Sequence, residues 1–363
     1  MKILVRAPNW IGDQILAYPF FYWLRQSYPE AQITVVCVDW VLDIQFRASV
    51  NEIHVLPRAG GAGKWERFRL LEEVAGELKG RGPWDLGISL PNSFSAAWLL
   101  YRSGCRERRG YGFEGRGFLL TDRRDFEELQ GIPRAESYLR LAFPKEAKPE
   151  SLDDFFPKLP ENNLDEPVPG VVDHFNSVAE WGVSEALSLP RGDYWILAPG
   201  SQAESRRWPL EYFSVLARRI AQSTDLQGVI VGGPLEAPLA SRLCADLSLR
   251  LLDRTAQGPL PRLSGLFSSA RFSVVNDSGL AHLSALHGCT TFVVWGAGDP
   301  RHTKPLGPGR VQLIFNPIEC WPCERNTCFQ LPAAQLQCLK GIQADSVFEE
   351  IRRVVRGTIP FRD

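Results

Sequence analysis

"SVVNDSGLAHLSALHG", residues 273–288, is the stretch on which the reading of the fold turns. The β-rich run Phe272–Val275 stops at Asn276-Asp277-Ser278-Gly279, and an apolar-periodic segment, Leu280 to Leu286, starts at once. A strand that passes through a glycine-bearing turn straight into a helix is half of a parallel crossover unit. The same junction is chemically pointed. Ser278 and the N–H groups of the first helical turn face an anion. Asp277 repels phosphate and suits sugar hydroxyls or the organisation of the loop. His282 shares a helix face with Ser278 at i, i+4 and reads as a phosphate or sugar contact, while His287 reads as structural.

The pattern recurs on both sides of this stretch. Strand candidates in the first half are Lys2–Arg6, Ile33–Val38, Ile53–Leu56 and Leu86–Leu90, with helical patterns such as Ile11–Ser27 and Trp65–Lys79 between them. Pro19 implies a break in the first of these helices. In the second half the strand candidates are Trp195–Ala198, Val229–Gly232, Phe272–Val275 and Thr291–Trp295, separated by Pro209–Gln222 and Pro238–Leu247. Such alternation, twice over, predicts α/β architecture with two doubly wound, Rossmann-like domains facing across a cleft. The Pro- and acid-rich stretch 144–170 reads as a linker, so the expected domains are 1–165 and 166–344. A last helix within 345–363, with a capping box from Ser346 to Glu349 and an apolar face of Phe348, Ile351 and Val355, is expected to pack back on the first domain.

Bulk properties narrow the class. The chain has 363 residues, 44% hydrophobic and 23% charged, with a formal net charge of -1. That length fits two cores, and that charge gives no basic field to recruit nucleic acid. No apolar run reaches the roughly 18 residues that span a bilayer. The start, "MKILVRAPNWIGD", is broken by Arg6 and reads as a strand rather than a signal peptide. The expected location is therefore cytoplasmic, where the eight Cys stay reduced.

Ligands of doubly wound sheets bind beyond the carboxyl ends of the strands, so polar residues directly after strands are the candidates. After the first strand come Asn9, Gly12 and Asp13. Gly12 lets backbone approach a ligand. Asp13 either complements a helix N-terminus or serves as a general base. After Trp195–Ala198 come Ser201, Arg206 and Arg207, two guanidiniums before a helix opened by Pro209, suited to a diphosphate. Glu236 follows Gly232-Gly233 and either accepts from ribose hydroxyls or is a first-turn acid without a ligand. The loop 296–308, with Asp299, Arg301, His302 and Lys304, is expected to close over the ligand. No GxGxxG follows the first strand, so the nicotinamide fingerprint is missing there.

Two clusters remain. Residues 102–124 hold seven Arg, including Arg109 and Arg116, interleaved with Tyr111, Phe113 and Phe118. They suit an anionic acceptor or membrane surface, and Asn92 and Ser93 at a strand end suit an acceptor sugar. Cys320, Cys323, Cys328 and Cys338 follow a C-x2-C-x4-C-x9-C spacing. Structural thiols are favoured there over a structural zinc site.

The segments "PNWIGD" (8–13), "LPNSFSAAWLLYRSGCRERRGYGFEGRGFLLTD" (90–122), "PGSQAESRRWPLEYF" (199–213) and "NDSGLAHLSALHG" (276–288) together resemble the lipopolysaccharide heptosyltransferases of glycosyltransferase family 9. The likeness runs over about 1–345, and "PNWIGD" and "LPNSF" are more similar to the heptosyltransferase II branch than to heptosyltransferase I. The resemblance implies an inverting GT-B enzyme that uses ADP-heptose; no cofactor is expected, and with no D-x-D aspartate pair at a strand end no divalent metal is required. Its acceptor would be lipid A–Kdo–heptose, on the cytoplasmic face of the inner membrane. It implies an acceptor-binding first domain and a nucleotide-sugar-binding second one. It puts the catalytic carboxylate on Asp13 and the donor-binding acid on Glu236. The phosphate-binding Lys falls on Arg206, a departure from the family pattern. The D-[ST]-G-L-x-H motif falls on Asp277, Ser278, Gly279, Leu280 and His282. The competing expectations are another GT-B nucleotide-sugar enzyme, acting on a different sugar or as an epimerase, and a non-catalytic carbohydrate-binding protein.

Overall fold

The computed structural model describes residues 1–57, 63–126, 131–145, 147, 192–257 and 260–362. The chain forms two compact units, Met1–Phe155 and Phe156–Asp363. The expected boundary at 165/166, and nearly all of the linker 144–170, lie outside the described residues.

The first unit is a parallel sheet of six strands: β1 Lys2–Arg6, β2 Gln32–Val38, β3 Glu52–Leu56, β4 Leu86–Ser89, β5 Glu107–Gly112 and β6 Asp122–Asp125, in the order β3-β2-β1-β4-β5-β6. The second unit repeats it with β7 Tyr194–Ala198, β8 Gln227–Ile230, β9 Leu251–Asp253, β10 Ser273–Asn276, β11 Thr291–Trp295 and β12 Val311–Phe315, in the order β12-β11-β10-β7-β8-β9. In each unit the chain winds outward from the first strand, then switches to the other side at the fourth. The switch points are β1/β4 and β7/β10. Loops leaving the carboxyl ends of those strands flank a crevice.

Central strands are buried on both faces, as parallel sheets require. Ile3, Leu4 and Val5 on β1, and Phe292, Val293 and Val294 on β11, are fully buried. In the second unit Trp195 stacks on Phe272 at 5.7 Å between ring centroids, which fixes β7 beside β10.

As Pro19 implies, the first helical pattern is two helices, Ile11–Leu16 and Tyr18–Ser27, broken at Ala17 with Pro19 in the first turn of the second. The C-terminal helix spans Ala344–Val355, so Ser346 lies inside it and the expected capping box is not its start. Its buried face, Val347, Phe348, Ile351 and Val355, joins Leu216 and Ile220 in the second unit's core. Leu216, Arg219 and Ile220 lie on the helix Leu210–Ser223, which Arg219 ties to the last one by bonding Asp345 at 2.9 Å.

Candidate active site

In the second unit, four loops meet at the carboxyl ends of β7, β8, β10 and β11. Asn276, the last residue of β10, is buried and bridges two of them. Its Nδ2 donates to Pro199 O at 2.7 Å, and its Oδ1 accepts from Trp208 N at 3.1 Å. Ser201 donates to Asp277 O at 3.0 Å. Asn276 and Ser201 therefore clamp the loop after β7 onto the junction after β10. Arg207 closes the first loop on itself, donating from Nε to Ser201 O at 2.6 Å. It is a loop brace, whereas Arg206 projects to the junction, its Nε 3.3 Å from Asp277 Oδ2.

What the clamp leaves open is informative. Asp277 Oδ2, Ser278 Oγ, His282 Nδ1 and Arg206 Nε are buried polar atoms with no hydrogen-bond partner among the described residues. The Arg206–Asp277 contact is an ion pair without hydrogen-bond geometry. Ser278 is the N-cap of the helix Gly279–Leu286, yet its side chain makes no cap bond. Buried polar atoms are nearly always paired, so a group of orphans at a helix N-terminus marks a ligand cradle. Glu236 borders it, accepting from Gly233 N at 2.8 Å. A Cβ at Gly200 would lie 2.3 Å from Glu236 Cγ, so only glycine lets the two loops approach this closely. Gly298 was not read as functional, yet a Cβ there would fall 2.5 Å from Asp277 Oδ2. The "GAG" at 296–298 was its only signal in the sequence. The loop 296–308 is tied down locally: Asp299 caps the short helix Pro300–Thr303 and accepts from Arg301 Nη2 at 2.6 Å.

Burial sets the charges. It raises the Asp277 carboxyl to about 6, against the opposing pull of Arg206. Burial, and then the Arg206 charge, lowers His282 to about 4, so its imidazole is neutral near pH 7 and acts as a hydrogen-bonding group rather than a cation. The two groups oppose each other in acid. An Asp whose folded pKa is raised withdraws stability as pH climbs from about 4 to about 6. A His whose folded pKa is lowered adds stability over about 4 to 6.5. Asp277→Asn removes the first effect alone. The melting temperature of this variant, relative to wild type, should therefore rise with pH between 4 and 6 and level off above. A flat difference across that range would place Asp277 outside the buried setting described.

In the first unit, β1 and β4 pair in register at Arg6 and Ser89, so the loops after them leave side by side. Buried Arg6, lowered to about 10 by desolvation, donates to Ala7 O, Val36 O and Asn9 Oδ1. The Trp40 indole donates to Asn9 O at 2.6 Å. Asn9 is thus held from two sides. Gly12 and Asp13 lie in the first turn of Ile11–Leu16, where the carboxylate complements the helix dipole. The Asp13 charge also reaches the buried Tyr138 hydroxyl. After burial it is the next cause of that hydroxyl's raised pKa, while Arg134 hydrogen-bonds the hydroxyl and opposes the rise. Tyr138 and Arg134, one helical turn apart on Arg134–Arg140, are site neighbours that the sequence reading missed.

Two acceptor candidates are corrected. Arg116 is fully buried, donating to Tyr111 O at 2.8 Å, Ser89 Oγ at 3.0 Å and Asn92 Oδ1 at 3.0 Å. It pins the loop after β4 instead of facing a ligand. Arg109 is 2% exposed and bonds Asp122 Oδ2 at 2.6 Å across the β5–β6 pair and Glu107 Oε1 at 2.9 Å. It holds the sheet edge. Asn92 and Ser93 do lie after β4, and Ser93 caps the helix Phe94–Arg102 by accepting from Ala96 N at 3.3 Å. Cys320, Cys323, Cys328 and Cys338 carry free thiols. Among the described residues no group of three or more His, Cys, Asp or Glu is placed to hold a metal ion.

The family model for glycosyltransferase family 9 (heptosyltransferase) matches residues 75–334. Lipooligosaccharide heptosyltransferase 2 of Haemophilus ducreyi is 28% identical over 319 residues, covering 84% of this chain and 86% of that protein. Lipopolysaccharide heptosyltransferase 2 of Escherichia coli is 27% identical over 312 residues, with the same coverage. Among solved structures, the ADP-heptose lipopolysaccharide heptosyltransferase II of E. coli superposes with a TM-score of 0.76 at 22% identity, covering 98% of this chain and 99% of that one. An E. coli heptosyltransferase solved with ADP gives a TM-score of 0.70 at 17% identity, covering 98% of this chain and 100% of that one. Both share the two-sheet GT-B fold.

Proposed function

Since the chain belongs to glycosyltransferase family 9, we propose that it transfers heptose from ADP-heptose to the inner core of lipopolysaccharide, as a heptosyltransferase II, with inversion and without a metal. The observation that carries this is the cradle of orphaned polar atoms at the β7/β10 switch point. Arg206 and the N-terminus of Gly279–Leu286 take the diphosphate, with Arg207 bracing their loop. Ser278 and neutral His282 donate to it, and Ser201, Asn276 and Gly279 shape the approach. Glu236 and Asp277 accept from sugar hydroxyls. Asp13 removes the proton from the acceptor hydroxyl, whose oxygen attacks the anomeric carbon opposite ADP. Asn9, Gly12, Asn92 and Ser93 border the acceptor. Charge that develops on the departing ADP is met by fixed donors, the kind of preorganised field that dominates many enzymatic rate enhancements.

The test is ADP release from ADP-heptose, with and without a heptosylated Kdo–lipid A acceptor. Acceptor-dependent release is expected. Release at the same rate without acceptor would fit a hydrolase or epimerase-like enzyme, and donor binding with no release would fit a binding protein.

The acceptor is lipid-linked in this reading, and the first unit carries a surface that supports work at a cytoplasmic membrane face. No described helix is long and apolar enough to cross a membrane. Trp65, Phe118, Tyr101, Phe68 and Phe94 are 87%, 75%, 48%, 43% and 40% exposed. Trp98 links three of them, its ring 6.0 Å from those of Phe68 and Phe94 and 5.7 Å from that of Tyr101. Arg102 and Arg108 lie over the Trp98 and Tyr101 rings. Exposed aromatics among cations suit the headgroup region of an anionic leaflet. Trp65→Ser with Phe118→Ser should weaken binding to phosphatidylglycerol vesicles, read by co-sedimentation, by roughly a hundredfold, from about 1.5 kcal/mol per buried aromatic. Unchanged co-sedimentation would remove this surface from the reading.

A further inference from the structure

Four of the eight cysteines, Cys320, Cys323, Cys328 and Cys338, line one small cavity of about 20 Å³. Its walls include Ser205 and Ala297, which belong to the loops after β7 and β11. The segment that carries the thiols is stitched to those loops. Ser205 donates from N to Asn326 O at 3.2 Å and from Oγ to Arg325 O. Glu324 N donates to Ala297 O at 2.8 Å, and the Trp321 indole to Gly296 O at 2.8 Å. Ala297 N closes the circuit by donating to Ser205 O at 3.2 Å. A Cβ at Gly296 would lie 2.3 Å from Ser205 O, so this seam has no slack. Ser205 is the residue before Arg206, and Gly298 presses on Asp277. The thiol segment is therefore a wall of the donor cradle, although it is remote from most of the cradle in sequence.

Within the cluster, Cys320 and Cys323 stand apart. Both are half-buried, at C-x2-C spacing across Trp321-Pro322, a separation over which paired cysteines can close a ring. Cys338 is 9% exposed, and burial, then the other three thiols, raises its pKa. Cys328 Sγ is occupied by accepting from Leu336 N at 3.4 Å. With Cys338 buried and Cys328 Sγ already engaged, access and spacing select the C-x2-C pair as the reactive one.

We propose that Cys320 and Cys323 form a thiol–disulfide exchange site, taking a small-molecule disulfide as co-reactant, whose oxidation loosens the seating of Arg206. One thiolate attacks a sulfur of the small disulfide, forming a mixed disulfide and releasing one small thiol. The other thiolate attacks the protein sulfur of that bond, closing Cys320–Cys323 and releasing the second small thiol. The two protein thiols give up two protons and two electrons, and the small disulfide takes them. Closing the ring turns the backbone just before Glu324, Arg325 and Asn326, whose N–H and carbonyls hold Ala297 and Ser205. The consequence for activity rests on Arg206 being a donor contact; the site itself does not.

The full-length chain would be equilibrated with graded ratios of oxidised to reduced glutathione. Three readouts separate the claims: disulfide mapping by mass spectrometry, amide hydrogen exchange over 203–208, and calorimetric ADP affinity. Expected are a Cys320–Cys323 disulfide, faster exchange at the Ser205 amide, and ADP binding weaker by about tenfold, the scale of one charge-assisted hydrogen bond. All three should reverse with reductant and be absent in C320S and in C323S. Failure of the pair to oxidise, or a bound metal ion holding these thiols in the purified protein, would overturn the proposal. So would a disulfide that leaves Ser205 exchange unchanged. Faster exchange with no ADP binding in either state would instead sink the donor reading of Arg206 and leave the exchange site standing.

Discussion

Asp13→Ala lowers the rate of acceptor-dependent ADP release by roughly 10³-fold, within the range a general base contributes, while ADP-heptose binds as before. The expectation follows from position. Asp13 lies in the helix that follows the first switch-point strand, beside the loop leaving β4, where an acceptor would be held. A carboxylate there accepts the hydroxyl proton as the oxygen attacks, and the donor cradle, built in the other unit, keeps its own contacts. Asp13→Asn should be nearly as slow, because the amide keeps the shape and loses the basic lone pair. Steady-state kinetics with calorimetry on the same samples decides it. Activity near wild type in both variants would reduce Asp13 to its dipole role, worth about 0.3–1 kcal/mol of stability and nothing in turnover.

Arg206→Ala should weaken the transferase by roughly 10²–10³-fold in kcat/KM and weaken ADP binding with it, the usual scale for loss of one charge-stabilising group. Its side chain is 28% exposed, next to Asp277 at 3%. Removing it has a second effect. The Arg206 charge opposes the upward push of burial on Asp277, so the variant's carboxyl should titrate still higher than about 6. The loss of activity should therefore deepen on the alkaline side, where an unpaired buried carboxylate faces the incoming diphosphate. Arg206→Lys should recover part of the activity, since a point charge supplies the field without the planar fork. Retained ADP affinity in Arg206→Ala would move the diphosphate elsewhere in the cradle.

How much of this was legible without coordinates differs by element. The strands β1, β2, β3, β4, β7, β8, β10 and β11 were recognisable because they are short apolar runs that end in turn residues. β5, β6, β9 and β12 were not. β6 is Asp-Arg-Arg-Asp, and a four-residue edge strand of charged residues carries no apolar period to detect. β5 begins Glu-Arg-Arg and hid in the same arginine-rich run. Read as a run, those arginines form a charged face. Placed in register, Arg109 meets Asp122 on the neighbouring strand and is buried. The capping box at Ser346 failed for a related reason. Its local signal was outweighed by the packing of Ala344 and Val347 in the second unit's core, which starts the helix earlier.

The sequence by itself determined the two parallel sheets and the loops that carry the chemistry. Both follow from local rules: apolar period, glycine and proline at turns, and polar residues placed directly after strands. Only the tertiary structure decided which polar residues keep a free valence for a ligand. Arg116 and Arg109 lost theirs to Ser89, Asn92 and Asp122. Ser278 and His282 kept theirs, and the thiols of 320–338 became a wall beside Ser205. Desolvation and pairing belong to neighbours in space, and residues far apart in the chain become such neighbours only when the sheet orders its strands.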